Sequence, residues 1–480
     1  MAGMSLIFIP APGVGHLTST IEIAKILLSR DPTLSITFLL SIHRPHSTSS
    51  VTSANASDRL RFLDVPNEAS DANADGLIFG PSKKQAVKKM VTEITESWHA
   101  SSGPRLAGFV VDMFCTAMID VATELGVACY IYFTSGASFL ALHLHIQKLC
   151  DDGLDADEFE DDCDMELSLP GFSNPIPARL LPFGGFDKKA GFTAIFIDMA
   201  RNYRRTDGIL VNSFTELESH AVESIASDPS VPPVYCIGPV VKVNADSSKP
   251  EKEAEIMEWL DRHPPASVVF LCFGSMGAFG REQVQEIARG LESSSCRFLW
   301  SLRRPPPSSG QAMFAPPEEY EDFSEVLPGG FLERTAGVGK VIGWAPQTAV
   351  LAHPSVGGFV SHCGWNSTLE SLWFGVPIAT WPLYAEQQFN AFEAVRETGI
   401  GVEISLDYRV LLGQPGSEKA EIVSGEQVER GIRQLMQEES EVRKKVKLMM
   451  DKCREAAGEG GSSYNCLQQF ISGLTKNIGT

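Results

Sequence analysis

Two stretches of this sequence place polar side chains where a backbone turn enters a helical pattern. The first is "FIPAPGVGHLTS", Phe8–Ser19, in which a hydrophobic run meets a Pro/Gly turn and His16 stands directly behind it. The second is "GGFVSHCGWNSTLESLWFG", Gly357–Gly375, read as a buried strand, then Cys363-Gly364-Trp365, then a helix beginning near Asn366. A helix N-terminus offers unpaired N–H groups and about half a positive charge, which suits a diphosphate. Asn366 and Ser367 add side-chain donors there, with His362 one turn earlier. Glu370, three or four residues along the same helix, is placed to accept from a vicinal diol. Capping of the helix by Asn366 and Ser367 is the alternative. It leaves the dense cluster of His, Trp, Asn and Glu unaccounted for.

The first turn fails as a nucleotide loop. The dinucleotide fingerprint GxGxxG needs a third small residue where Thr18 stands, and an acid closing the second strand to hold a ribose. That strand ends "TFLLSIHRP", without one. No GxxxxGK[ST] occurs anywhere, so a P-loop is also unsupported.

These turns need rigid elements behind them, and the pattern supplies them. "SLIFIP", "LSITFLLS", "LAGFVVD", "ACYIYF" and "DGILVNSF" read as buried parallel strands, followed in the second half by "SVVFLCFGS", "CRFLWSLR", "GKVIGW", "GGFVSH" and "IATWP". Amphipathic stretches fall between most of them; behind the first turn, Leu17, Ile21, Ala24 and Leu28 recur at helical spacing. The fold class is α/β, with parallel sheets. At 480 residues the chain exceeds one ordinary core. The polar run "VKVNADSSKPEKE" divides it, giving a first domain over 1–240, a linker over 241–253 and a second domain over 254–458. Each half has its own strand–glycine turn–helix entry, "FIPAPGVGH" and "FLCFGSMGAFG", and two facing doubly wound domains would turn both toward one cleft, since ligands lie at the carboxyl ends of such strands. "DDGLDADEFEDDCDM" (Asp151–Met165) and "RPPPSSGQAMFAPPEEYED" (Arg304–Asp322) read as solvated loops.

Composition narrows the classes. Net charge is −20, which disfavours nucleic acid as a partner. The ten cysteines include no CxxC pair and sit mostly in apolar runs, as reduced core residues of a reducing compartment do. No run of about 18 apolar residues offers a membrane span, and the first lysine, Lys25, comes too late for a secretory n-region. The expected location is cytoplasmic, which removes meaning from the Asn366-Ser367-Thr368 glycosylation match.

From Trp344 to Gln387 the sequence reads "WAPQTAVLAHPSVGGFVSHCGWNSTLESLWFGVPIATWPLYAEQ". This 44-residue stretch resembles, nearly position for position, the signature box of plant family-1 UDP-sugar-dependent glycosyltransferases. "IFIPAPGVGHL", "FVVDMFCTAMIDVA", "GILVNSFTELE", "CIGPV" and "SVVFLCFGSMG" extend the likeness over most of the chain, toward the flavonoid, phenolic and triterpenoid subgroup. The resemblance implies two facing Rossmann-like domains of the GT-B type, with acceptor in the first and UDP-sugar in the second. It also implies a C-terminal helix, within 459–480, crossing back to the first domain. Trp344 would stack on uracil, Ala345 contact its edge through the backbone, Gln347 reach the ribose and Glu370 hold its hydroxyls. Ser275, His362, Asn366 and Ser367 would bind the diphosphate. Glu386 and Gln387, the Trp365 backbone and Thr134 would bind the sugar. Many members carry Asp where Glu386 stands, a change that keeps the carboxylate. A final Gln is associated with glucose, so UDP-glucose is the expected co-substrate.

The same resemblance answers why a histidine stands behind the first turn. His16 would deprotonate the acceptor hydroxyl, and Asp112, closing "LAGFVVD", would fix its tautomer and stabilise the imidazolium. Displacement from an α-linked UDP-sugar then gives the β-glycoside with inversion, no metal being needed at the diphosphate. His143 and His145 read as packed and His353 as structural. The acceptor is a small, largely apolar molecule whose identity the sequence leaves open; Phe114, Phe139 and Phe183 are candidates for lining its site. The chain is expected to act as a monomer. A nicotinamide-dependent oxidoreductase is a competing class, weakened by the failed fingerprint. A UDP-sugar sensor would keep the sugar site and lack the base, and a different UDP-sugar is the remaining variant.

Overall fold

The computed structural model describes residues 3–41, 52–66, 81–101, 103–153, 165–182, 192–243, 249–306, 316–410 and 421–478. Contacts divide the chain into two compact units, Met1–Leu154 with Ala194–Val241 and Glu455–Thr480, and Asp155–Thr193 with Lys242–Arg454.

The first unit is built on strands β1 (Met4–Ile9), β2 (Leu34–Ser41), β3 (Leu60–Val65), β4 (Arg105–Asp112), β5 (Cys129–Phe133), β6 (Gly208–Val211) and β7 (Val234–Cys236). They form one parallel sheet in the order β3-β2-β1-β4-β5-β6-β7. Every residue of β1 and β5 is buried, which explains their uninterrupted apolar sequences, since a central parallel strand is covered on both faces. Helix α1 (Val14–Arg30) returns from β1 and buries Leu17, Ile21, Ala24 and Leu28, the positions its spacing singled out. Helix α2 (Ala137–Asp151) follows β5. The C-terminal helix Ser462–Ile478 belongs to this unit, and its Leu467, Phe470, Ile471 and Leu474 pack with Met4, Phe8 and Tyr130 in one core.

The second unit holds β8 (Val268–Cys272), β9 (Arg297–Ser301), β10 (Gly339–Ile342), β11 (Val356–Ser361), β12 (Ile378–Thr380) and β13 (Gly401–Glu403). These too are parallel, in the order β10-β9-β8-β11-β12-β13. Helices α3 (Gln347–Leu351), α4 (Trp365–Phe374) and α5 (Gln387–Phe392) enter from its strand ends.

Three boundaries differ from the sequence reading. Asp155–Thr193 groups with the second unit because its described part is anchored there: Phe172 stacks on Phe389 at 4.5 Å, Glu397 accepts from the Ser173 and Asn174 amides, and Arg409 donates to the Arg179 and Leu181 carbonyls. The end of the expected linker is helical, since Pro250–Asp261 forms a helix with proline in its first turn. The Pro-rich loop is pinned at its ends by an antiparallel ribbon between Arg303–Arg304 and Glu318–Glu319. Residues 154–164 of the acidic loop and 307–315 of the Pro-rich one lie outside the described residues. The nine described cysteines are all free thiols. Among the described residues no helix is long and apolar enough to cross a membrane.

Candidate active site

In the first unit, β1 delivers the chain to an extended Gly13, and α1 starts behind it without a side-chain cap. His16, the third residue of that helix, meets Asp112, the last residue of neighbouring β4. His16 Nδ1 and Asp112 Oδ2 are 2.8 Å apart, with 28% of the histidine side chain exposed and none of the aspartate's. The other Asp112 oxygen accepts the Phe114 amide at 3.0 Å, so the carboxylate cannot swing away from the ring. Phe114 also packs its ring 5.2 Å from the imidazole, and the Thr134 hydroxyl lies 3.1 Å from Nδ1. With the proton on Nδ1 directed to Asp112, the lone pair resides on Nε2.

A polar scaffold fixes these groups from beneath. The Ser19 and Tyr132 hydroxyls are 2.6 Å apart, and Tyr203 donates to the Met113 carbonyl at 3.1 Å. Buried Glu218 accepts the Ala137 amide at 2.8 Å and the Ser138 amide at 2.6 Å. It thus caps α2, whose N-terminus follows the Thr134 turn, with a carboxylate from 80 residues away. Sequence reading passed over Glu218 because its capping partner is remote in the chain.

In the second unit, β11 ends at Ser361 and leads through His362 into Cys363, a non-glycine residue with φ 60°. Gly364 is the N-cap of α4 and makes no side-chain cap. Asn366 and Ser367 lie inside the first turn, so the capping alternative for them is overturned, because the helix begins at Trp365. A helix start of this kind carries positive potential from the N–H groups of its first turn. His362 is 7% exposed; burial pushes it down to about 4, helped by the Arg303 charge, so it is a neutral ring. A Cβ at Gly364 would stand 2.5 Å from its Nε2, and so would one at Gly274, whose φ of 72° also demands glycine. The two glycine turns of this unit therefore close on one imidazole. Its Nδ1 is buried without a partner among the described residues.

Gln347, opening α3, donates to Ser367 Oγ at 2.8 Å and to Glu370 Oε2 at 2.7 Å, drawing three expected residues into one cluster. Trp344 and Ala345, just before it, are half-buried, and Lys249 Nζ lies 5.6 Å from the Trp344 ring centroid. Trp365 is 4% exposed, Glu386 half-buried at the N-cap of α5, and Gln387 4% exposed. Gln387 Oε1 accepts the Leu383 amide at 2.8 Å and the Tyr384 amide at 3.1 Å. Its acceptor is committed to the backbone, and its side chain also hydrogen-bonds the Tyr384 side chain. Ser275 is exposed on the Gly274 turn.

Burial pushes the Glu370 carboxyl up to about 7, against the opposing hydrogen bond from Gln347. The folded protein therefore holds this proton above the ordinary carboxylate range. The contribution is present below the unfolded value near 4.5 and is lost as pH rises toward about 7. Glu370→Gln should accordingly raise the melting temperature of the ligand-free protein more at about pH 8 than at about pH 5.5. Equal shifts at the two pH values in a thermal melt would contradict this.

Other expected residues sit in packing. Phe139 is 3% exposed and lies 4.4 Å from the His143 ring, itself ringed by Phe133, Phe196 and Tyr203. Burial pushes His143 down to about 3. Phe183 lies outside the described residues. His353 ties Ser355 (2.8 Å) to Asp261 (3.1 Å), a loop brace. Among the described residues no three His, Cys, Asp or Glu side chains converge as a metal-binding set.

Two doubly wound parallel sheets define a GT-B type protein of two Rossmann-like domains. The family model described as UDP-glucoronosyl and UDP-glucosyl transferase matches residues 228–410. The UDP-glucose flavonoid 3-O-glucosyltransferase 6 of Fragaria ananassa is 50% identical over 484 residues, covering 97% of this chain and 98% of that one. A UGT transferase of Siraitia grosvenorii, solved in complex with UDP, superposes with a TM-score of 0.85 at 44% identity, covering 98% and 100% of the two chains. UGT71G1 of Medicago truncatula, solved with UDP-glucose, gives 0.81 at 37% identity, covering 98% of each. The chain belongs to the plant family-1 UDP-glycosyltransferases and is a transferase of that family.

Proposed function

We propose that the protein transfers glucose from UDP-glucose to a hydroxyl of a small, largely apolar phenolic, flavonoid or triterpenoid acceptor, giving a β-O-glucoside with inversion. The observation carrying this reading is the 2.8 Å pair of His16 Nδ1 with a fully buried Asp112 carboxylate at the carboxyl end of a parallel strand. The relatives named with UDP-glucose and flavonoid support the substrate classes.

Trp344 stacks on uracil, the Ala345 backbone meets its edge, and Gln347 with Glu370 holds the ribose. His362, Ser275, Asn366 and Ser367 take the diphosphate. Glu386, Gln387, the Trp365 backbone and Thr134 orient the sugar. The acceptor oxygen gives its proton to His16 Nε2, and its electron pair forms the bond to the anomeric carbon. The bond from that carbon to the diphosphate oxygen breaks, and UDP leaves with the electron pair. Asp112 stabilises the imidazolium. The α4 N-terminus and the donors around it stabilise the leaving diphosphate, the charge-stabilising work a metal does elsewhere.

UDP-glucose turnover against a panel of phenols and alcohols tests the reading; no glucoside with any acceptor would return it to a UDP-sugar sensor. Excess EDTA should leave the rate essentially unchanged. Loss of activity restored by Mg²⁺ or Mn²⁺ would contradict the metal-free step.

A further inference from the structure

Arg303 follows β9 and reaches back to the turn after β8. Its guanidinium donates to the Ser275 carbonyl at 2.9 Å, to the Gly277 carbonyl at 3.3 Å and to the Gly274 carbonyl. Among the described residues no carboxylate lies within ion-pair distance of it, and burial lowers its pKa from the ordinary arginine range. Glu319, the acid whose charge acts on it, is already paired with Lys249 and Lys252. A half-buried cation held only by carbonyl dipoles is costly unless another charge completes it.

The three carbonyls have a second consequence. In a trans peptide the C=O and N–H groups point to opposite edges. Drawing the carbonyls of 274, 275 and 277 onto Arg303 therefore turns the N–H groups of Ser275, Met276 and Ala278 away from it. None of these three has an acceptor among the described residues. Successive outward N–H groups in a turn form an anion-binding concavity. This turn also abuts His362, through the close approach of Gly274 to Nε2, beside the α4 N-terminus.

We infer that Arg303 is a positioning residue for the diphosphate: it shapes the Gly274–Ala278 turn into an anion nest and supplies the fixed positive charge behind it. This rests on the reading of the second unit as the UDP-sugar site. A single guanidinium does both jobs because its planar fork satisfies several carbonyls at once while keeping its charge, which an ammonium cannot match.

Titration of UDP and of uridine separates this role from general support of the fold. Arg303→Met should lose about 100-fold in UDP affinity with uridine affinity unchanged, since uracil and ribose are held elsewhere. The KM for UDP-glucose should rise while that for the acceptor stays. Arg303→Lys, with charge but no fork, should lose about 10-fold for UDP. If the Met variant fails to fold by circular dichroism, the Lys variant carries the test. Wild-type UDP affinity in a folded variant, or equal loss of UDP and uridine, would overturn the inference. Wild-type protein binding UDP no more tightly than uridine would overturn the underlying placement of the diphosphate as well, and it is seen before any variant is made.

Discussion

His16→Ala should lower turnover on an unactivated alcohol by about 10²–10⁴-fold, with UDP titrating as in the wild type. An alcohol is a poor nucleophile until its proton leaves, and the base proposed for this step is the His16 imidazole, whose Nδ1 Asp112 holds. Asp112 holds Nδ1 at 2.8 Å and is itself locked by the Phe114 amide, so the ring cannot rotate to offer the wrong nitrogen. Asp112→Asn should follow the same direction, because an amide can turn its oxygen or its NH₂ to Nδ1 and cannot stabilise an imidazolium. A very acidic phenol should be affected least, since it ionises without help. Near wild-type rates of His16→Ala on an alcohol would remove the base assignment. Loss of UDP binding would mean that the helix start, rather than the proton transfer, had been disturbed.

What the sequence made legible divides along physical lines. The central strands were visible because burial on both faces makes them continuous apolar runs, as in "VVFLC" and "SLIFI". Leu60–Val65, Val234–Cys236 and Gly401–Glu403 were not singled out, and each lies at a sheet edge. An edge strand is short or half-wet, so Arg61 and Asp64 interrupt the pattern of the first. His16 and Asp112 were legible as candidates because the family resemblance gave meaning to a histidine after a glycine turn and an acid closing a strand, and the fold brings the two together. Arg303 was not, since "SLRRPPP" looks like a loop start and its three carbonyl acceptors lie 26 to 29 residues earlier. An arginine directly after a buried strand, with no acid nearby in sequence, was the available signal. Glu218 and the anchoring of Phe172 on Phe389 are likewise tertiary facts that no local pattern encodes.

Gln387→Glu should abolish most glucosyl transfer, on the order of 10²-fold or more in kcat/KM, while UDP still binds. The sequence alone suggests an amide that both donates and accepts toward the sugar. The geometry divides those tasks, since Oε1 already accepts the Leu383 and Tyr384 amides and holds the turn before α5. Alanine at this position would leave two buried N–H groups unpaired and confuse a sugar effect with a folding one. Glutamate keeps an acceptor for both amides and removes the NH₂ donors; Tyr384→Phe, which deletes the phenol that hydrogen-bonds the same side chain, is the control that isolates the proposed contact with a sugar hydroxyl. A donor built for an equatorial hydroxyl should also favour UDP-glucose over UDP-galactose, whose 4-hydroxyl is axial. UDP titration beside a donor-competition assay measures both effects. Retained transfer by Gln387→Glu would show that its NH₂ touches no sugar. Equal use of the two sugars by the wild type would show that this end of the site does not read the 4-hydroxyl.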